Sequence, residues 1–322
     1  SMKKKILVTG CAGFVGSFLT KKLCLKYEVM GIDNLNNYYD VKLKKERLTS
    51  LKKLKNFKFK KVCLTNFRLL NNLIKSYKPN IVIHLAAQAG VRFSLLKPDE
   101  YFSSNIKGFY NLLKCIKLCG VKKVLYASSS SVYGDSKKFP LKENMKTDNP
   151  QSLYASSKKI NEILASTWSH LYNIQMIGLR FFSIYGPKGR PDMAYYLFSK
   201  KIFNKEKIKL FNYGKNYRDY TYIEDVVDSI YELMNVKLKN KHEVFNIGNN
   251  TPISTIKLLK LLESNYKKKS IKKKIQQNKM EVLKTYASTV KLQKFLNKKT
   301  QFTKFEKGLK IFTDWYLKFQ KN

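Results

Sequence analysis

Through the first half of the chain, short apolar runs alternate with longer stretches in which apolar residues recur every three or four positions. Ile6–Thr9 is the first such run. It ends in a Gly-rich turn, and the residues beyond predict a helix through about Tyr27. Glu28–Ile32, Phe57–Val62, Ile81–Leu85 and Val124–Ala127 predict further buried strands, with helices over Asn66–Tyr77, Tyr101–Cys119 and Ser152–Leu171. Strands that are apolar throughout and alternate with amphipathic helices predict an α/β fold, a Rossmann-type doubly wound parallel sheet. Beyond about residue 180 the segments become shorter and more mixed. Gly186-Pro187-Lys188-Gly189-Arg190-Pro191 reads as a loop, and helices are predicted at Ile223–Met234, Ser254–Tyr266 and Thr303–Phe319. The expected organisation is a dinucleotide-binding domain over residues 1–185, with later segments near 216–250 returning to it. A smaller C-terminal α/β substrate lobe is expected mainly over 186–322. The charge run Lys267–Lys274 is expected to be a solvated loop.

Composition adds bounds. A chain of 322 residues with 43% apolar content can bury a core without disulfide or metal staples. The net charge of +42, from 64 basic and 22 acidic residues, permits a nucleic-acid binder. Lys is spread along the whole chain and Asn is also plentiful, which reads instead as codon drift filling solvated positions, so nucleic acid is not an expected partner. Cys11, Cys24, Cys63, Cys115 and Cys119 are odd in number and contain no CxxC pair. With three histidines (His84, His170, His242) they form no metal-ligand pattern, and a reducing cytoplasm is expected. Ser1-Met2 reads as a cloning remnant. The apolar run behind Lys3-Lys4-Lys5 ends at Gly10, too soon for a signal peptide, and no apolar stretch is long enough to span a membrane.

Gly10-Cys11-Ala12-Gly13-Phe14-Val15-Gly16 follows the first strand and opens the first helix. Glycines there allow a tight turn, close approach of a pyrophosphate and packing of helix on sheet. Asp33 stands past the second strand, 23 residues after Gly10. A carboxylate in that place accepts from ribose hydroxyls and repels a 2′-phosphate, which favours NAD over NADP.

Tyr154 and Lys158 form a YxxxK pair, and positions i and i+4 share one helical face. A neighbouring ammonium favours the phenolate, which can take a hydroxyl proton while hydride leaves to a nicotinamide. Ser129, Ser130 and Ser131 lie about 25 residues upstream at a predicted strand end, where hydroxyls can bridge a substrate hydroxyl and Tyr154.

Longer stretches carry a family resemblance. They are Asp33-Asn34-Leu35-Asn36-Asn37-Tyr38-Tyr39-Asp40, His84-Leu85-Ala86-Ala87-Gln88-Ala89-Gly90-Val91-Arg92, Leu179-Arg180-Phe181-Phe182-Ser183-Ile184-Tyr185-Gly186-Pro187, Gly189-Arg190-Pro191-Asp192-Met193-Ala194, and Phe211-Asn212-Tyr213-Gly214 through Arg218-Asp219-Tyr220-Thr221-Tyr222. Over nearly its whole length the chain resembles the UDP-sugar 4-epimerases of the extended short-chain dehydrogenase/reductase type, and most closely the UDP-glucuronate 4-epimerases. The resemblance implies NAD as cofactor, a UDP-sugar as substrate, a 4-keto intermediate and a homodimer formed through the helices Tyr101–Cys119 and Ser152–Leu171. It further implies that Asp33, Asn34, Ala86, Ala87, Gln88, Asn105 and Phe182 serve the cofactor, together with Gly10, Gly13, Phe14, Val15 and Gly16. Arg218 would meet the UDP phosphates, and Arg92, Ser129, Asn212 and Glu281 would join it on the substrate. Ser183 and Arg190 fall where the family recognises the C6 end of the sugar, and an Arg with a hydroxyl suits a carboxylate.

The chain also departs from its relatives. Cys63 and Asn66 stand where relatives carry acids near the adenine, and Asn278-Lys279-Met280-Glu281 replaces a Pro-Gly turn near the uridine. Ser130-Ser131 replaces the Asp-Glu of the related 4,6-dehydratases and the Glu of the uronate decarboxylases, which argues against both reactions. An epimerase of UDP-glucose or UDP-N-acetylglucosamine is the alternative, because a neutral C6 hydroxyl needs no cation. A non-catalytic nucleic-acid-binding relative is the remote alternative; Tyr154, Lys158 and the glycine turn, whose loss it would show, are all intact.

Overall fold

The apolar runs of the first half lie side by side in one sheet. The computed structural model describes residues 3–277, 282–297 and 302–321. Its strands are β1 (Lys5–Thr9), β2 (Glu28–Asp33), β3 (Phe57–Lys61), β4 (Ile81–His84), β5 (Lys123–Ser129), β6 (Gln175–Phe181), β7 (Ser183–Tyr185), β8 (Lys207–Leu210), β9 (Tyr217–Tyr222), β10 (His242–Ile247), β11 (Pro252–Ser254) and β12 (Ile271–Lys274). Seven of them form a sheet in the order β10-β6-β5-β4-β1-β2-β3. The segment β3-β2-β1-β4-β5 is parallel, with Val8 opposite Gly31 and Thr9 opposite His84. The chain builds outward from β1 in one direction and resumes at β4 in the other. The strand order therefore reverses between β1 and β4, and their carboxyl ends open a crevice of the kind that holds ligands in doubly wound sheets.

The helices are α1 (Phe14–Leu23), α2 (Val41–Lys52), α3 (Phe67–Tyr77), α4 (Phe93–Leu96), α5 (Pro98–Tyr101), α6 (Gly108–Leu118), α7 (Leu153–Tyr172), α8 (Ala194–Phe203), α9 (Ile223–Asn235), α10 (Thr255–Tyr266), α11 (Val290–Leu296) and α12 (Phe305–Phe319). Local chemistry sets several boundaries. Asn66 accepts from the Leu69 amide to cap α3, Ser152 from Ala155 to cap α7, and Ser254 from Lys257 to cap α10. Lys78, Asn173 and Lys267 end these helices in the left-handed conformation.

The described residues divide into two compact units. One comprises Ser1–Gly134, Lys146–Arg180 and Val227–Phe245. It contains the bulk of the large sheet and a core in which Leu7, Val82, Val124 and Met176 meet Phe109 and Leu112 of α6. The other comprises Asp135–Met145, Phe181–Val226 and Asn246–Asn322. It holds a three-stranded sheet, β11-β9-β7, and the pair β12-β8. Its core is aromatic: Tyr185 stands between Tyr195 and Phe305, and Phe312 packs edge-on to Tyr195. Buried Asp219 ties this unit together by accepting from the amides of Asn249, Asn250 and Ala287.

Five segments differ from the sequence reading. The strand expected to be buried at Phe57–Val62 is the edge strand β3, in which Phe57 is buried and the residues after it are exposed or half-buried. The first helix stops at Leu23, and the chain turns before β2. Val41–Lys52 carries no clear apolar stripe, yet forms α2, because Leu43, Leu48 and Leu51 share their burial with Lys44 and Arg47. The expected continuous helix over Tyr101–Cys119 is interrupted: Phe102–Lys107 is a π-helical segment between α5 and α6. The expected loop at Lys267–Lys274 contains β12, which pairs in parallel with β8 while all its side chains stay exposed. Backbone pairing, invisible to an apolar pattern, makes that strand, and Lys272 adds an ion pair to Glu263.

Candidate active site

The glycine turn sits at the reversal point of the large sheet. Gly10 has a φ of +74°, and a Cβ there would come within 2.7 Å of the Ala86 nitrogen. A Cβ on Gly16 would lie 2.0 Å from the Gly10 carbonyl oxygen, so helix and turn touch backbone to backbone. Gly13 caps α1 with no side chain, which leaves the amides of Phe14 and Val15 uncapped by any side chain at a positive helix end. Asp33 ends β2, and its carboxylate accepts from the amides of Ala12 and Leu35, beside the turn. Asn34 folds its own loop by accepting from the Asn36 amide.

Two cations missing from the sequence reading stand beside this turn. Arg47, buried on α2, donates to the Ala12 carbonyl at 3.1 Å and to the Tyr39 hydroxyl at 2.6 Å. Lys44 donates to the Asn36 carbonyl at 2.7 Å. Burial holds its pKa below the ordinary lysine value, against the pull of Asp33. Asn36 in turn donates to the side chain of Gln88 at 3.3 Å, which links the loop after β2 to the loop after β4.

That second loop carries Ala86, Ala87 and Gln88. The Ala86 amide donates to the Thr9 hydroxyl, which also pairs with His84 Nδ1 at 2.7 Å. Asn105, in the π-helical segment, brackets Gln88: it accepts from the Gln88 amide and donates to the Gln88 carbonyl. Nε2 of Gln88 is buried with no hydrogen-bond partner among the described residues. A donor left over at the crevice, a turn open to a phosphate and a carboxylate at the ribose position together fit a dinucleotide. Arg92 is exposed and leads into α4.

Tyr154 and Lys158 both lie on α7, where Tyr154 is half-buried. The Lys158 ammonium is buried, 6.0 Å from the Tyr154 ring centroid, and donates to the Ala127 carbonyl of β5 at 3.0 Å. Burial lowers its pKa to about 8. Two residues beyond Ala127, the Ser129 hydroxyl accepts from the Ser131 amide at 3.1 Å and donates to the Ser131 hydroxyl at the same distance. Ser130 and Ser131 lie in a 3₁₀ turn that packs against α7. The structure thus gathers Ser129–Ser131, Tyr154 and Lys158 where β5 meets α7. Asn105 also donates to Ser157 on α7, which connects this group to the Gln88 loop.

Phe182, Ser183, Arg190, Asn212 and Arg218 belong to the second unit. Phe182 is buried, and its amide donates to the Ile247 carbonyl. Ser183 opens β7 and is half-buried. Arg190 makes a two-point ion pair with Asp192, at 3.0 and 2.5 Å. Asn212 adopts left-handed backbone and donates to Asn216, and Arg218 lies in β9 with Nη1 on the Tyr217 carbonyl. Glu281, within Asn278–Glu281, lies outside the described residues. Cys63 is exposed within 3.0 Å of the Thr65 hydroxyl, and Asn66 is engaged as the α3 cap.

A tyrosine and a lysine one helical turn apart, held against strand-end serines beside a glycine turn, are the working parts of an extended short-chain dehydrogenase/reductase. The chain belongs to the NAD dependent epimerase/dehydratase family, which matches residues 6–248. It is 45% identical to an uncharacterised protein of Methanocaldococcus jannaschii over 98% of this chain and 96% of that one. It is 42% identical to the UDP-glucuronate 4-epimerase of Thermodesulfobacterium geofontis over 96% of this chain and 95% of that one. Its fold is similar to the crystal structure of UDP-glucuronic acid 4-epimerase from Bacillus cereus in complex with UDP-glucuronic acid and NAD. That similarity has a TM-score of 0.91 at 30% identity and covers 98% of this chain and 99% of that one. No helix among the described residues is long and apolar enough to cross a membrane.

Proposed function

We propose that this protein is an NAD-dependent 4-epimerase that interconverts UDP-glucuronate and UDP-galacturonate. The observation that carries the reading is the Ser129–Tyr154–Lys158 group at the meeting of β5 and α7, in a chain similar end to end to UDP-glucuronate 4-epimerases. Gly10, Gly13, Phe14, Val15 and Gly16 would hold the cofactor pyrophosphate, and Asp33 and Asn34 the adenosine ribose. Ala86, Ala87, Gln88, Asn105 and Phe182 would hold its nicotinamide half. NAD held there would supply a hydride acceptor, and then a hydride donor, for C4 of the sugar. Tyr154 removes and later restores the 4-hydroxyl proton. Lys158 keeps a positive charge beside the phenol, and the Ser129 and Ser131 hydroxyls orient the 4-hydroxyl oxygen as it loses its proton. Arg218, Asn212, Arg92 and Glu281 would bind the UDP-sugar, and Arg190 with Ser183 would read its carboxylate.

The Arg190–Asp192 pair favours a second reading. If the guanidinium keeps Asp192 as its partner, the C6 group is a neutral hydroxyl and the substrate is UDP-glucose or UDP-N-acetylglucosamine. Incubation with each UDP-sugar separately, followed by NMR of the anomeric protons, decides between them. UDP-galacturonate formed from UDP-glucuronate, without turnover of the neutral sugars, is the expected outcome. Turnover of the neutral sugars alone selects the second reading, and no turnover with NAD supplied overturns both.

We also propose that the protein is a cytosolic homodimer. Five free thiols suit a reducing compartment. Exposed apolar side chains on α6 and α7 (Tyr110, Leu118, Ile163 and Leu171) suit helix packing against a second copy. Sedimentation equilibrium giving the mass of one chain at micromolar concentration would overturn the dimer.

A further inference from the structure

Glu162 and Arg180 are two charges that the mechanism above does not use, and both are buried. Their contact is two-pointed: Arg180 Nε and Nη2 each donate to a Glu162 carboxylate oxygen at 2.8 Å. Removing a carboxylate and a guanidinium from water costs about as much as their attraction returns, so a buried pair is poorly explained by stability alone. Its surroundings supply another explanation.

Glu162 lies on α7 one turn beyond Lys158 and two turns beyond Tyr154. Its carboxylate also accepts from the Ser128 hydroxyl at 2.6 Å, and Ser128 immediately precedes Ser129. On the other side, the Arg180 guanidinium stands over the Tyr133 ring at 4.8 Å. Tyr133 closes the short turn that carries Ser130 and Ser131. The ion pair thus holds the serine segment at both ends, at Ser128 and at Tyr133, from the same helix that carries the phenol and the ammonium.

We propose that Glu162 and Arg180 are positioning residues for proton transfer, fixing the Ser129–Ser131 hydroxyls relative to Tyr154. The proposal rests on the epimerase reading for its kinetic consequence but not for its geometry. Neither residue touches the reacting atoms. They act by holding α7 and the end of β5 in one register, where an error of about an ångström at a reacting group can cost on the order of 10²-fold in rate. The two-point geometry matters as well, because a carboxylate held by a guanidinium fork cannot swivel and carries Ser128 with it.

The test compares Glu162→Gln, Arg180→Lys, Arg180→Met and Ser128→Ala with the parent holoenzyme. Ser128→Ala removes the link to β5 and leaves the ion pair whole, so it remains informative if Glu162→Gln fails to fold. The expected result is a kcat lowered about 10²-fold in Glu162→Gln and about tenfold in Ser128→Ala, with KM for the UDP-sugar and bound NAD within about twofold of the parent. Arg180→Lys, which keeps the charge, should recover part of the rate that Arg180→Met loses. A crystal structure of NAD-loaded Ser128→Ala should show Ser129 and Ser131 displaced from Tyr154 by at least about 0.5 Å. Unchanged kcat in the folded variants, or loss of kcat, KM and bound NAD together, overturns the proposal. If the parent turns over no UDP-sugar, the epimerase reading fails, and the crystallographic displacement alone then decides this one: undisplaced serines overturn it.

Discussion

The ammonium of Lys158 donates to the main-chain carbonyl of Ala127 at 3.0 Å, so the residue proposed to polarise the phenol is anchored to the strand that ends in Ser129. Burial brings the pKa of that ammonium down to about 8. The cation is therefore present at neutral pH and is lost as pH rises through about 8. Turnover should hold level up to that point and then decline by about tenfold per pH unit, with the decline absent from the residual activity of Lys158→Met. A kcat profile level to pH 10 would sink this assignment.

Asp33 should select the cofactor. In Asp33→Ser the proposed ribose position would lose its carboxylate acceptor, and the repulsion of a 2′-phosphate would disappear. NAD affinity should fall by at least about tenfold, the worth of one charge-assisted bond, while NADP affinity rises. Calorimetric titration of nucleotide-free protein with each dinucleotide checks both directions.

Arg190 should govern the sugar. With Arg190→Met, kcat/KM for UDP-glucuronate should drop by about 10²-fold as a charge-assisted contact is lost, while any turnover of UDP-glucose is preserved or raised. Equal losses on the charged and neutral sugars would instead mark the Arg190–Asp192 pair as loop architecture.

Acid should unfold the protein through His84. Its ring is buried, hydrogen-bonded to Thr9 and stacked on Phe109. Burial, with the Lys158 charge nearby, brings its pKa down to about 3 from 6.5. Below pH 6.5 the unfolded chain takes up a proton that the folded chain refuses. The stability present above 6.5 is thus lost as pH falls towards about 3, at no more than about 1.4 kcal/mol per pH unit. Urea unfolding of wild type and His84→Gln at pH 7 and pH 5 should show a smaller acid loss in the variant.

The centre of the sheet was legible because its strands are buried on both faces: Ile6–Val8 and Ile81–Ile83 are apolar without interruption, a pattern the alternating, mostly exposed edge strand β3 does not show. The glycine turn and the Tyr154–Lys158 spacing were legible because they depend on local backbone and one helical period. Lys44, Arg47, Glu162 and Arg180 were not legible as buried residues. In a chain with 64 basic residues, a buried lysine or arginine looks like its solvated neighbours until the fold supplies its partner. Arg180 finds Glu162 only because β6 and α7 come together, and Lys44 finds Asn36 only when the β2 loop closes over it. Arg190 shows the opposite limit. Its type suits an anion, but its geometry reveals a carboxylate within its own loop.

The π-helical stretch Phe102–Lys107 sets a rule for how this gene can change length. One turn there holds an additional residue, and each residue of a helix accounts for about 100° of rotation. Deleting a single codon between Phe102 and Lys107 would convert the stretch to regular α-helix and swing Asn105 away from the Gln88 main chain, which it now grips from both sides. Single-codon deletions in exposed surface loops leave no such rotation behind. Deletion scanning of the gene should therefore find this six-residue helical window intolerant while such loops accept the same loss.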